Sequence, residues 1–229
     1  MDEVPPFQRA RRPEQRELRR QEILDAAEEL LAAELLSGAS AEEISLRELA
    51  RRLDVSKTHI VRYFESREGV FLELLNRMRW AWLEAAATEW PAPPAEPDVV
   101  MRALADTLAA RPVLCQLWSL LPSVLERNVS AATVRAYKLT DLEHRTVLAG
   151  LIRERVPAIT AEDALLLTEH IVIGLVGLWP FSTPPPAVVE ATADPRLRRS
   201  RVDFSARYGE LLQVMLAGLA ARGWRTATP

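Results

Sequence analysis

Residues 44–67 read ISLRELARRLDVSKTHIVRYFESR, and this stretch decides the fold. Ser45 and Glu48 stand at capping-box spacing, where each side chain answers a backbone donor at a helix start. Leu46, Leu49, Ala50 and Leu53 then form one apolar stripe at helical spacing. Leu53-Asp54-Val55 reads as a tight turn, and Ser56 is a second N-cap residue. Beyond it Lys57, Thr58, His59, Arg62 and Tyr63 are polar or basic, while Ile60 and Phe64 can face a core. A capped helix, a turn and a short helix with a donor-rich outer side suit a DNA major groove. The expectation is a helix-turn-helix reader.

Charge supports that reading by its distribution rather than its sum. The net charge is −3, which by itself disfavours a nucleic-acid binder. Residues 9–20 nevertheless hold six arginines (9, 11, 12, 16, 19 and 20) against Glu14 and Glu17. Residues 44–67 carry a second basic group, Arg47, Arg51, Arg52, Lys57, Arg62 and Arg67, against Glu48, Asp54 and Glu65. Local positive potential therefore lies where a duplex would sit.

Outside an arm, connectors and one loop, the remainder of the 229 residues reads as helices, an all-α chain of 48% hydrophobic residues and only 8 glycines. Residues 1–13, with Pro5, Pro6 and Pro13, are expected as a mobile basic arm. A first helix should run from about Glu14 to Leu36 on an inward stripe of Ile23, Ala26, Ala27, Leu30 and Leu31, with Gly38 as its stop. The polar connector 37–43 follows, and the reader domain spans 14–67. Ser66 caps a connecting helix, about 66–90, which ends before PAPPAEP at 91–97 because proline breaks helix interiors. A larger C-terminal helical domain occupies 68–229. Its helices are expected at 98–109, 112–128 with a kink at Pro122, 130–155, 160–180 and 203–222, with a proline-rich loop at 182–201.

Some classes of function are disfavoured. The one cysteine, Cys115, excludes an internal disulfide and fits a reducing cytoplasm. The opening segment lacks the apolar core of a secretory signal, and the apolar run at 164–181 reads as too short and too polar to span a membrane. No HExxH, CxxC, GxSxG or phosphate-binding glycine loop occurs, so neither an enzyme, a cofactor nor a metal site is expected. The competing readings are a helical protein-interaction module or a helical enzyme without DNA binding.

ILDAAEELL at 23–31 followed by ISLRELARRLDVSKTHIVRYFESREGVF from residue 44 resembles the tetracycline-repressor (TetR-type) family of bacterial transcriptional regulators. The resemblance implies an N-terminal three-helix reader and a C-terminal helical domain for ligand binding and dimerisation. It places DNA contacts at Ser45, Arg47, Ser56, Lys57, Thr58, His59, Arg62, Tyr63 and Arg67. Asp54 replaces the usual turn glycine, and aspartate tolerates a left-handed backbone better than most residues. Val61 replaces a frequent tyrosine, and Arg67 stands for the usual lysine.

The resemblance further implies a homodimer on a pseudo-palindromic operator, paired through helices at about 160–180 and 203–222. Ala164, Gly174, Gly177 and Gly218 would permit close helix contact there. It also implies a small-molecule effector, with Trp82, Met101, Cys115, Trp118, His144, His170 and Trp179 as candidate pocket residues. Few fixed charges are evident in the middle helices, so an apolar or aromatic ligand is expected.

Overall fold

The structure, a computed structural model, describes residues 6–37 and 44–222, and among them every regular element is helical. Helix α1 (Pro6–Ser37), α2 (Leu46–Arg52) and α3 (Lys57–Val61) form the N-terminal reader. Helix α4 (Arg67–Glu89) leads into α5 (Pro97–Ala109), α6 (Pro112–Leu120), α7 (Ala131–Arg155), α8 (Ala161–Ser182), α9 (Pro186–Ala191) and α10 (Phe204–Ala221).

The caps fall where side-chain chemistry calls for them. Ser45, Ser56, Ser66, Ser130 and Thr160 each accept the backbone N–H three residues on, at α2, α3, α4, α7 and α8. At α2 the reciprocal half of the capping box is open, because Glu48 pairs with Arg51 at 2.8 Å instead. The turn after α2 places Asp54 at φ 51°, with Val55 N–H donating to Ala50 O (3.0 Å) and Asp54 N–H to Arg51 O (3.3 Å). Those two bonds are a Schellman closure, which needs one left-handed residue.

Three expected boundaries move. Helix α1 begins at Pro6, so residues 6–13 of the expected mobile arm are helical. Gln8, Arg9, Ala10, Arg11 and Arg12 are good helix formers, and they outweigh the hydrogen bond that Pro13 removes. Residues 1–5 and the connector with Gly38 lie outside the described residues. Pro122 does interrupt its helix, through a turn of π-helix at Leu121–Leu125 in which Glu126 N–H reaches Leu121 O (3.3 Å). The loop after α8 is partly ordered, holding α9 and a 3₁₀ turn at Pro195–Ser200.

Helix α8 runs on through Pro180 to Ser182, and its 22 residues are long and apolar enough to cross a membrane by length and composition alone. Its length and mean hydropathy correct the expectation that the apolar run is too short and too polar. Leu167, Ile171 and Leu175 on α8 are buried against protein, and the helix packs on α6, α7 and α10. It serves as a core helix.

One continuous apolar core joins the two parts. Ile23, Leu24, Ala27 and Leu31 of α1, Leu49 and Ala50 of α2, and Ile60 of α3 meet Val70, Phe71 and Leu74 of α4. The same α4 then carries Leu75, Trp82 and Leu83 into the C-terminal core. Helices α4 and α7 run side by side in the same direction, tied at both ends. Near the reader, Glu65 meets Ser130 and Thr133. At the far end the buried Arg155 donates to the carbonyls of Ala87 (2.9 Å), Pro91 (2.9 Å) and Leu151 (3.0 Å).

Candidate functional site

The reader presents α3 outward on a rigid frame. Arg20 of α1 donates to Tyr63 O (2.9 Å), lies 4.7 Å over the Phe64 ring and pairs with Glu73 of α4. Arg77 of α4 pairs with Asp25 (2.6 Å) and Glu28 (2.8 Å) of α1. Arg52 of α2 pairs with Glu29. These cations fasten helices together, so they are not available to phosphate.

Other polar residues are left open to solvent. Ser45, Arg47, Ser56, Lys57, Thr58 and Arg62 are exposed. Arg47, Lys57 and Arg62 make no ion pair among the described residues. Tyr63 is half-buried, its ring 5.3 Å from that of His59. His59 is half-buried as well, and its Nε2 is enclosed without a hydrogen-bond partner, so only part of the imidazole faces outward. Arg67 is directed inward: it donates to Ile44 O (3.2 Å) and pairs with Glu68 (2.7 Å), with only 20% of its side chain exposed. Val61 is 43% exposed on the outer side of α3. An apolar group there can meet a thymine methyl, a role its β-branched type did not suggest in the sequence.

Helix α1 adds a feature that the sequence alone did not assign to the site. Gln15, Arg16, Arg19, Arg62 and Tyr63 line an open groove of about 690 Å³ between α1 and the end of α3, with Glu22 as its acid. The signal for it is the arginine run at 9–20, of which Arg16 and Arg19 line the groove.

The expected pocket residues do not form one group. Trp82, Met101, Cys115, Trp118, His144 and Trp179 are all buried, and His170 is half-buried. Trp82 and Trp90 both donate to Thr107 Oγ1, at 3.2 and 3.1 Å, and Trp179 donates to Gln116 Oε1 (2.9 Å). Cys115 donates to Leu108 O (3.3 Å), and burial pushes its thiol pKa up, so it behaves as a packed core residue. Trp82, Trp118 and His144 alone of this set line a common cavity of about 10 Å³, room for one water.

Around that cavity the expectation of few fixed charges is corrected. Arg79 of α4, 2% exposed, pairs with Asp141 of α7 at 2.7 Å. Asp141 also holds Arg145 (2.7 Å), which reaches Glu169 of α8 at 3.3 Å. Tyr137, donated to by Arg79 at 3.3 Å, has its pKa pushed up to about 12, chiefly by burial. Arg79 Nε and Trp118 Nε1 lack hydrogen-bond partners, while the enclosed His144 ring lies against the backbone of Thr140 and Asn76. Leaving a buried polar group unpaired costs about 1–3 kcal/mol, so their gathering at one point needs an explanation. Among the described residues, no group of three or more His, Cys, Asp or Glu is placed to hold a metal ion.

Known proteins agree with this architecture. Residues 23–74 match the family "Bacterial regulatory proteins, tetR family", and residues 77–223 match "Tetracyclin repressor-like, C-terminal domain". Among solved structures, a fatty acid degradation regulator from Bacillus halodurans superimposes with a TM-score of 0.54 at 13% identity, covering 87% of this chain and 98% of that one. A transcriptional regulator from Rhodococcus sp. Rha1 gives 0.52 at 18% identity, with 88% and 96% covered. A TetR family repressor from Dietzia sp. strain DQ12-45-1b, implicated in biodegradation of n-alkanes, gives 0.52 at 14% identity, with 88% and 95% covered. No curated protein matches significantly. Identities this low establish a shared fold, and the family follows from the two domain matches. The chain belongs to the tetR family of bacterial regulatory proteins and is a DNA-binding transcriptional regulator.

Proposed function

We propose that the protein is a homodimeric repressor that occupies a pseudo-palindromic operator and is released by a small molecule bound in the C-terminal domain. The observation that carries the DNA-contact assignment is the solvent-facing set Arg47, Lys57, Thr58 and Arg62 beside cations already committed to helix packing. Lys57, Arg62, Arg47 and Arg16 neutralise phosphates, Thr58 and Val61 meet base edges, and the groove beside α1 admits the backbone. Ser45 and Ser56 supply exposed caps near phosphates, with His59 and Tyr63 as a supporting ring pair. Arg67 acts by holding the start of α4 to Ile44 rather than by direct contact.

Dimerisation is supported by an unpartnered apolar face on α8 and α10. Ile173 (65%), Phe181 (70%) and Val214 (65%) are exposed, and an added Cβ at Gly177 or Gly218 would meet nothing within 4 Å. Gly174 serves the monomer instead, with Leu211 only 3.1 Å from its ideal Cβ position, and Ala164 is in the core. Two such copies place two reading helices on successive turns of one groove.

Fluorescence anisotropy against the duplex upstream of the protein's own gene, over a salt series, tests the reading. Tight binding that falls steeply with salt, at a stoichiometry of two chains per duplex, is expected. Equal affinity for that duplex and for random sequence would remove autoregulation from the proposal.

A further inference from the structure

The buried polar cluster between α4, α6, α7 and α8 has chemistry that selects a ligand. Its inner part holds the guanidinium of Arg79 and the half-buried guanidinium of Arg145 around a single buried carboxylate, Asp141. The second acid within reach, Glu169, has a side chain 55% exposed and meets Arg145 at 3.3 Å from the solvent side. Two guanidiniums therefore share one desolvated carboxylate inside the cluster.

Hydrogen-bond capacity there is out of balance. Arg79 Nε–H and the Trp118 indole N–H are donors without acceptors, each on a residue at least 98% buried. Burial, reinforced by the Arg79 charge, pulls the His144 pKa down to about 4, so the ring is neutral at pH 7 with one donor and one acceptor. Opposite these groups, the cavity wall is apolar: Leu83, Leu148 and Val172, with the Trp82 and Trp118 rings.

We propose that this cluster is the headgroup end of an effector site for an organic monocarboxylate with an apolar body, its carboxylate received by Arg79 and Trp118. The inference rests on the effector-released reading above and adds the ligand class. A carboxylate supplies the missing acceptors, one oxygen for Arg79 Nε–H and one for the Trp118 N–H, since the Nη groups of Arg79 are already held by Tyr137 and Asp141. A cation would face two arginines, and a primary amide would turn N–H groups toward donors and leave one of them unmet. At about 10 Å³ the cavity is too small for such a ligand, so binding must part α7 from α4. Helix α7 carries Asp141 and His144 in its middle and the Glu65-bound Ser130 at its start. Displacement at the cavity is thereby carried to the reader.

The test uses the full-length protein and matched pairs of probes: hexanoate to dodecanoate and benzoate to naphthoate, each beside its primary amide. Thermal midpoint and tryptophan fluorescence report binding without DNA, and anisotropy on the same samples reports duplex release. Acids are expected to raise the midpoint where their amides do not. Trp118→Phe, which keeps the ring and removes the N–H, should weaken acid binding about tenfold or more. If acids and amides stabilise equally, or no acid in the panel shifts the midpoint, the proposal is overturned whatever the DNA arm shows. Acid binding that leaves duplex affinity untouched would keep the ligand class and overturn the release step.

Discussion

Glu65, in the link between the recognition helix and α4, accepts hydrogen bonds from Ser130, the residue that caps α7 in the other domain. Both the backbone N–H and the hydroxyl of Ser130 donate to it, the latter at 2.8 Å, and Thr133 adds its hydroxyl at 2.7 Å. The reader thus touches the regulatory domain through an exposed carboxylate as well as through the packed core around α4.

That contact is pH-dependent, with a definite sign. The hydroxyl of Thr133 first, and Ser130 next, hold the Glu65 carboxyl below its ordinary 4.5. On acidification the unfolded chain takes up the proton first, so the contribution is complete above 4.5 and disappears as pH falls through the lowered value. Glu65→Gln should therefore flatten the acid limb of the thermal midpoint against pH and speed hydrogen exchange at the Ser130 amide. Unchanged protection of that amide would show that the link contributes nothing in solution.

Asp54 offers a test of backbone strain. Its φ of 51° closes the turn between α2 and α3, and a non-glycine residue there is disfavoured. Asp54→Gly should stabilise the protein by about 0.5–1 kcal/mol, net of the entropy that glycine adds to the unfolded chain. Asp54→Ala should destabilise it by a similar amount. Urea denaturation distinguishes these, and a loss of stability in Asp54→Gly would mean that the carboxylate itself holds the turn.

The same residue shows why the reader was legible in the sequence. Caps and turns are local chemistry: Ser45, Asp54 and Ser56 act on backbone groups within four residues, so spacing alone reveals them. Apolar periodicity likewise marks the inward faces of α1 and α4. Of the buried polar cluster, Trp118 and His144 were among the expected pocket residues, but Arg79 and Asp141 come from two separate stretches of chain and read singly as ordinary surface charges. The inward direction of Arg67 was not legible for the same reason. Its partner Ile44 lies 23 residues away, and nothing local distinguishes an inward arginine from an outward one.

Side chains on the recognition helix divide by what they do. Lys57→Ala should weaken binding to every duplex alike and lower the salt slope by about 0.9 for each phosphate left without its cation. Thr58→Ala and Val61→Ala should instead alter preference at one or two base pairs, each by about 1 kcal/mol. Arg67→Ala should lower the thermal midpoint, since Glu68, 6% exposed, would be deprived of its cation. An Arg67 variant of normal stability whose DNA affinity fell uniformly would return that residue to the phosphate-binding set.

Two glycines three residues apart on α8 separate folding from assembly. A side chain at Gly174 would start 3.1 Å from Leu211 Cδ2 and 3.3 Å from Tyr208 Cε2, both on α10. Tyr208 is fixed by its hydroxyl, which donates to Ile171 O at 2.5 Å, so it cannot yield. Gly174→Val should therefore cost about 1–3 kcal/mol by forcing the helices apart. Gly177 is exposed, with nothing within 4 Å of an added Cβ, so Gly177→Glu should leave the monomer's unfolding curve almost unchanged. If α8 pairs with its copy, that glutamate meets the apolar face of Ile173 and Phe181, and a like charge across the two-fold axis. Light scattering should then report 25.7 kDa rather than twice that mass, with operator affinity falling in parallel. A Gly177→Glu protein that stays dimeric would move the interface away from this face of α8.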